Sequence, residues 1–207
     1  MKNTGMAIWI FALALFASAP GFSQMDGHGQ AVVTMLPKPG VEAPLSLTAK
    51  DLLVTVNGKP ATVAEWKPLR SPEDKVELVL LIDSSARSSL GSQFRDLEHF
   101  IQSLPANTKS AIAYMQNGRA DFASTFSTDH AKVLQGLHLP GGSAGSSASP
   151  YFCLSDLAQH WPSGDRGARR EVLLVTDGVD PYNPRYDPDN PYLTAAINDS
   201  VRAGVVV

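Results

Sequence analysis

The sequence predicts an α/β protein with a doubly wound, mostly parallel sheet, one antiparallel edge strand and a small β-hairpin element ahead of it. Three observations carry this. Val76-Glu77-Leu78-Val79-Leu80-Leu81-Ile82 and Glu171-Val172-Leu173-Leu174-Val175-Thr176 are nearly continuous apolar runs, the pattern of strands covered on both faces. Stretches of helical periodicity alternate with those runs, an order that builds a parallel sheet with crossover helices. Asn117-Gly118 joins Ser110–Met115 to Ala120–Phe126, and Asn-Gly between two strand-like runs is a hairpin signal because both residues tolerate positive φ.

The elements succeed one another in this order. Residues 1–23 read as a secretory signal: Lys2 supplies the positive start, Met6–Ala17 is apolar but short for a membrane span, and Gly21-Phe22-Ser23 precedes a cleavage point before Gln24. Residues 24–72 form the small β segment. Within it Ala31–Met35 is β-branched and strand-like, and Leu52–Val56 and Lys59–Val63 flank a turn at Asn57-Gly58. It is too short to bury much alone and is expected to lean on the main domain, residues 73–207. In that domain, after the first apolar strand, Phe94, Leu97, Phe100, Ile101 and Leu104 recur at helical spacing. Asp129 caps a short helix, and Pro150–Trp161 is helical with proline in its first turn. A last helix, Tyr192–Ala203, stops at Gly204 before Val205-Val206-Val207 begins another strand.

Composition narrows the function classes. The 207 residues contain 17 Lys and Arg against 20 Asp and Glu, a net charge of −3. Loss of residues 1–23 takes one lysine with it. No positive field exists to hold a nucleic-acid backbone. The single cysteine, Cys153, makes no internal disulfide and no thiolate zinc site, and reads as a small buried hydrophobe. The expected setting is secreted or periplasmic, with no membrane span once the signal is removed.

In open α/β sheets ligands bind at the carboxyl ends of the strands, where strand order reverses. Both apolar strands end in carboxylates here, Asp83 and Asp177. Ser84 and Ser85 follow the first, and a Gly/Ser loop ends at Ser149. Such an oxygen-only set suits Mg²⁺, Mn²⁺ or Ca²⁺ and not zinc.

On four segments the chain from Val76 to Val207 resembles a von Willebrand factor A-type domain. They are Leu78–Ser85 (LVLLIDSS), Phe122–Asp129 (FASTFSTD), Leu173–Gly178 (LLVTDG) and Arg202–Val207 (RAGVVV). Asp51–Pro60 (DLLVTVNGKP) resembles the β segment that precedes such domains in some secreted bacterial proteins. The resemblance implies a Rossmann-like fold and a protein-binding or adhesion role, not an enzyme. It also implies a metal-ion-dependent adhesion site whose first loop reads Asp-x-Ser-x-Ser. Asp83 and Ser85 match that loop, Asp177 matches its third, and Ser149 is the candidate for the Thr of its second, with Ser146 and Ser147 as alternatives. Arg87 stands where the second Ser belongs. A guanidinium has no lone pair for a metal and its charge opposes a dication. Either Arg87 points away from a weakened site, or it pairs with Asp83 or Asp177 and replaces the ion. The family pattern also continues beyond the final strand, so the domain is expected to be C-terminally incomplete, with an aggregation-prone open edge.

Other signals are weaker. Gly141-Gly142-Ser143-Ala144-Gly145 fits the Gly-x-Ser-x-Gly elbow of hydrolases, but Leu139-Pro140 stands where the elbow needs a strand. A serine- or metal-dependent hydrolase and a structural subunit of an extracellular assembly are the competing functions. The five histidines show no metal-ligand spacing. Arg166, Arg169 and Arg170 read as a solvated basic loop. Asp180–Tyr192 holds four prolines, three tyrosines and three aspartates. It reads as a stiff exposed loop or as a partner-contact surface through Tyr182, Tyr186, Asp187 and Tyr192, since tyrosine gives large contact area at low entropy cost.

Overall fold

The computed structural model describes residues 27–35, 40–42, 46–69, 71, 74–86, 88–141, 144–185 and 187–207. The predicted signal, Arg87, Ser143 and Tyr186 lie outside them. Among the described residues no helix is long and apolar enough to cross a membrane.

The chain forms a mixed α/β fold around a five-stranded sheet, with a separate two-stranded hairpin of β1 (Val54–Val56) and β2 (Lys59–Ala61). The main strands are β3 (Val76–Asp83), β4 (Thr108–Gln116), β5 (Arg119–Phe122), β6 (Arg169–Val175) and β7 (Val205–Val206), in the order β5-β4-β3-β6-β7. All neighbours are parallel except β4 and β5. The helices are α1 (Phe94–Ser103), α2 (His130–Leu134), α3 (Pro150–Gln159) and α4 (Pro191–Ala203).

β3 is apolar without alternation because both of its faces are covered. Val79 and Leu81 join Ala113, Met115, Val172 and Val205 in one core, against Cys153, Leu157 and Trp161 from α3 and the residues after it. Leu80 and Ile82 face the opposite way, with Ile112 and Tyr114, onto Ile101 of α1 and Val133 of α2. From β3 the chain crosses by α1 to β4 on one side. From β5 it returns by α2 and α3 to β6 on the other. Strand order therefore reverses at β3, which places the reversal at the carboxyl ends of β3 and β6.

Each helix end has a local cause. Ser149 caps α3 by accepting from the Tyr151 N–H, and Pro150 fills the first turn, where its missing N–H costs nothing. Asn190 caps α4 through the Tyr192 and Leu193 N–H groups, and Gly204 ends it at φ 67°. Both Asn-Gly turns form as expected, with Asn57 and Gly58 at φ 52° and 76° and Asn117 and Gly118 at 50° and 74°.

Two expectations are corrected, and a third is narrowed: the segment ahead of the main domain leans on it, but not through its hairpin. Ala31–Met35 pairs with no strand among the described residues; it runs as irregular chain, with the Val32 carbonyl lying against Gly204. The hairpin does not pack down, and all six of its strand residues are exposed. Its segment is anchored further on, where Arg169 Nη1 donates to the Leu69 carbonyl at 3.0 Å and Lys67 bridges Asp74 at 2.7 Å. β5 stops at Phe122 because Ala123 and Ser124 both donate their N–H to the Ile112 carbonyl, and the Ser124 hydroxyl accepts the Ile112 N–H. That bulge interrupts the ladder until Ser127 rejoins Ser110.

Candidate functional site

Asp83 ends the central strand at the reversal point and is buried. Its Oδ1 accepts from the Ser85 backbone N–H at 2.8 Å and the Ser85 hydroxyl at 2.6 Å. Its Oδ2 accepts from the Thr176 hydroxyl at 2.9 Å. Thr176 follows β6 and in turn accepts the Gly178 N–H at 3.1 Å. One carboxylate thus ties the end of β3 to the end of β6. Thr176 lies inside the Leu173–Gly178 segment, and sequence reasoning missed it as a site residue. Its signal is its place, directly after an apolar strand and before Asp177.

The other candidates are arranged differently. Asp177 is exposed and turns to its own loop, where it accepts the Val179 N–H at 3.0 Å. Ser149 is buried, and its hydroxyl donates to Asp180 Oδ2 at 3.2 Å. Ser146 is exposed and Ser147 half-buried on the preceding turn, so only Ser149 of the three has a buried hydroxyl. Asp180 is buried too and its Oδ1 accepts the Tyr182 N–H at 3.0 Å. Asp180 is the second residue that sequence reasoning missed: it joins the cap of α3 to the tyrosine-rich loop.

That loop carries a packed aromatic trio. Phe152 of α3 lies edge-on to Tyr182 and to Tyr192, each at 4.8 Å between centroids, and the two tyrosines meet at 5.6 Å. Tyr182 is 48% exposed and Tyr192 36%. Hydrogen bonding of the Tyr192 hydroxyl to Tyr182, and then the charge of Tyr182, hold the Tyr192 pKa above its ordinary value. Asp187 stands outside the trio, accepting the Asp189 N–H at 3.0 Å in a turn that leads to Asn190.

α3 begins beside this edge. Its Cys153 is fully buried, donates to the Arg119 carbonyl at 3.3 Å, and has its thiol pKa pushed up to about 12, first by burial, then by the charges of Asp156 and Asp83. The loop before α3 is pinned to the β4–β5 turn, where Asn117 N–H donates to the Ala144 carbonyl at 2.9 Å. The solvated basic loop expected at Arg166, Arg169 and Arg170 is corrected: Arg169 and Arg170 open β6 and are half-buried, while Arg166 is exposed. Arg169 bridges Glu171 at 2.9 Å, and Arg170 lies over the Trp161 ring at 5.6 Å.

The donors at Asp83 are carboxylate and hydroxyl oxygens only, the chemistry of a hard cation. Ser149 and Asp177 reach it by no hydrogen bond. Among the described residues no group of three or more His, Cys, Asp or Glu side chains is placed to hold a metal. No protein-family model matches the sequence, and no curated protein matches it at a significant level.

Proposed function

We propose that the chain is an exported protein-interaction module of the von Willebrand factor A type, a doubly wound Rossmann-like domain that binds a protein partner at the carboxyl edge of its sheet. The observation that carries this reading is the buried Asp83 carboxylate at the strand-order reversal, clasped by hydroxyls from the ends of both adjoining strands. Export rests on the signal-like residues 1–23. The edge is not read as an enzyme centre. Residues 138–141 ahead of Ser143 form no strand, and α3 starts only at Pro150, so the strand–turn–helix context of a serine elbow is missing from the described residues.

The metal site is a degenerate one. Asp83 and Ser85 would hold Mg²⁺, Mn²⁺ or Ca²⁺, with Ser149 and Asp177 as the remaining ligands implied by the resemblance. When bound, the ion supplies an open coordination position for a partner's carboxylate. Asp83 and Ser85 fit that chemistry. Ser149 is engaged with Asp180, and Arg87 adds positive charge at a ligand position. Mg²⁺ binding is therefore weak in the wild type and tightens in Arg87→Ser, as titration calorimetry will measure; equal affinity in the two proteins refutes the role given to Arg87.

The function is tested by capture from the native envelope fraction with wild type and Asp83→Ala, both checked for folding by circular dichroism. A partner retained by wild type and lost by Asp83→Ala supports the reading. Turnover of generic ester or phosphate substrates that Asp83→Ala abolishes overturns it in favour of a hydrolase.

A further inference from the structure

We propose that the Tyr182–Tyr192 face is the docking surface for a lysine- or arginine-bearing segment of a partner protein. This deepens the proposed interaction role and rests on it.

First, the surface is built and held in place. Tyr182 is fixed at its backbone by the buried Asp180, and Tyr192 by the buried cap residue Asn190, whose Oδ1 accepts the Tyr192 N–H at 2.9 Å. Phe152 supports both rings from behind. A surface fixed in this way loses little freedom when a partner arrives. Second, about half of Tyr182 and a third of Tyr192 still face solvent. Exposed tyrosine rings beside one another offer contact area and π faces, which attract cations. Third, the loop that carries the rings is net negative. Residues 177–192 contain four aspartates against Arg185 alone, a net −3. Asp177, Asp187 and Asp189 are exposed. A carboxylate-bearing partner would be repelled here, and an apolar one would leave these charges without a counterpart. A cationic side chain meets both the rings and the charges.

The probe is an amidated peptide of alternating glycine and arginine, titrated calorimetrically into the full chain. Its control replaces arginine by citrulline, which keeps the shape and removes the charge. The arginine peptide is expected to bind and to weaken with added salt, while the citrulline peptide binds about tenfold more weakly. The double variant Tyr182→Leu/Tyr192→Leu is expected to lose about tenfold in affinity for the arginine peptide. Asp187→Asn/Asp189→Asn leaves the aromatic packing in place and is expected to weaken binding and flatten its salt dependence, so the proposal stays testable if the tyrosine variant does not fold. Absence of binding by wild type, equal binding of the citrulline peptide, or unchanged affinity in the aspartate variant overturns the proposal. A partner captured through Asp83 survives all three of those results, so the two readings fail separately.

Discussion

Trp161→Phe is expected to destabilise the protein through one buried carboxyl group. Glu77 lies on β3, 1% exposed, and faces the α3 side of the sheet. Its Oε2 accepts the indole N–H of Trp161 at 2.8 Å, and its Oε1 has no hydrogen-bond partner among the described residues. Its ladder neighbours are Lys109 and Arg170. The Arg170 guanidinium donates to the Ser163 and Ala203 carbonyls and not to Glu77. The indole is therefore the group that solvates this carboxylate. Leaving a buried acceptor without its partner costs about 1–3 kcal/mol. The smaller ring and the weaker cation–π contact with Arg170 add about 1 kcal/mol. The sum is about 3 kcal/mol, which for a chain of this length lowers Tm by roughly 6–12 °C. Urea and thermal unfolding followed by far-ultraviolet circular dichroism measure it. The decisive form is a double-mutant cycle. In a Glu77→Leu background the hydrogen bond is already gone, so Trp161→Phe should cost only about 1 kcal/mol, a coupling of about 2 kcal/mol. Additivity within about 0.5 kcal/mol would refute the reasoning.

Three further outcomes are expected. Gly145 sits at φ +92°, and a Cβ there would lie 1.7 Å from Asn117 Oδ1; Gly145→Ala should cost about 2–3 kcal/mol in a urea melt, and an unchanged midpoint would show that the loop before α3 is not pinned as described. Cys153, buried and with its thiol pKa raised to about 12, should react with iodoacetamide at neutral pH only when urea unfolds the chain; native-state labelling at the rate of an exposed thiol contradicts its placement. The Lys67 ammonium, then the Ser71 N–H, hold the Asp74 carboxyl below its usual pKa. A depressed folded value means this stabilisation is complete above the unfolded carboxyl range and is lost as pH falls through the folded value, so Asp74→Asn should flatten the acid limb of the stability curve below about pH 5; identical acid limbs argue against it.

The parts of this fold that were legible in the sequence are those where a local pattern and its surroundings agree. Val76–Ile82 reads as a buried strand because six of its seven residues are apolar and need cover, and α1 and α3 supply it from opposite faces. Asn117-Gly118 reads as a tight turn because positive φ is a property of those two residues themselves. Ala31–Met35 has equal strand propensity, but propensity supplies no neighbour to complete a ladder, and that segment found none. The resemblance likewise implied Asp83 and Ser85 as a pair, and the two meet because a strand-end aspartate and the hydroxyl two residues on share a local turn. It could not foretell that Ser149 would bond Asp180 or that Thr176 would complete the clasp on Asp83, because those partners lie 31 and 93 residues away. Asp177, Asp180, Asp187 and Asp189 look alike in the sequence. Only Asp180 is buried, and its burial follows from the docking of α3, which delivers a buried hydroxyl to one carboxylate and leaves the other three in water. The same docking seats Phe152 under Tyr182 and Tyr192. A single helix position thus gives both the inner hydroxyl pair and the outer aromatic face, so a substitution that shifts the start of α3 should disturb the two together.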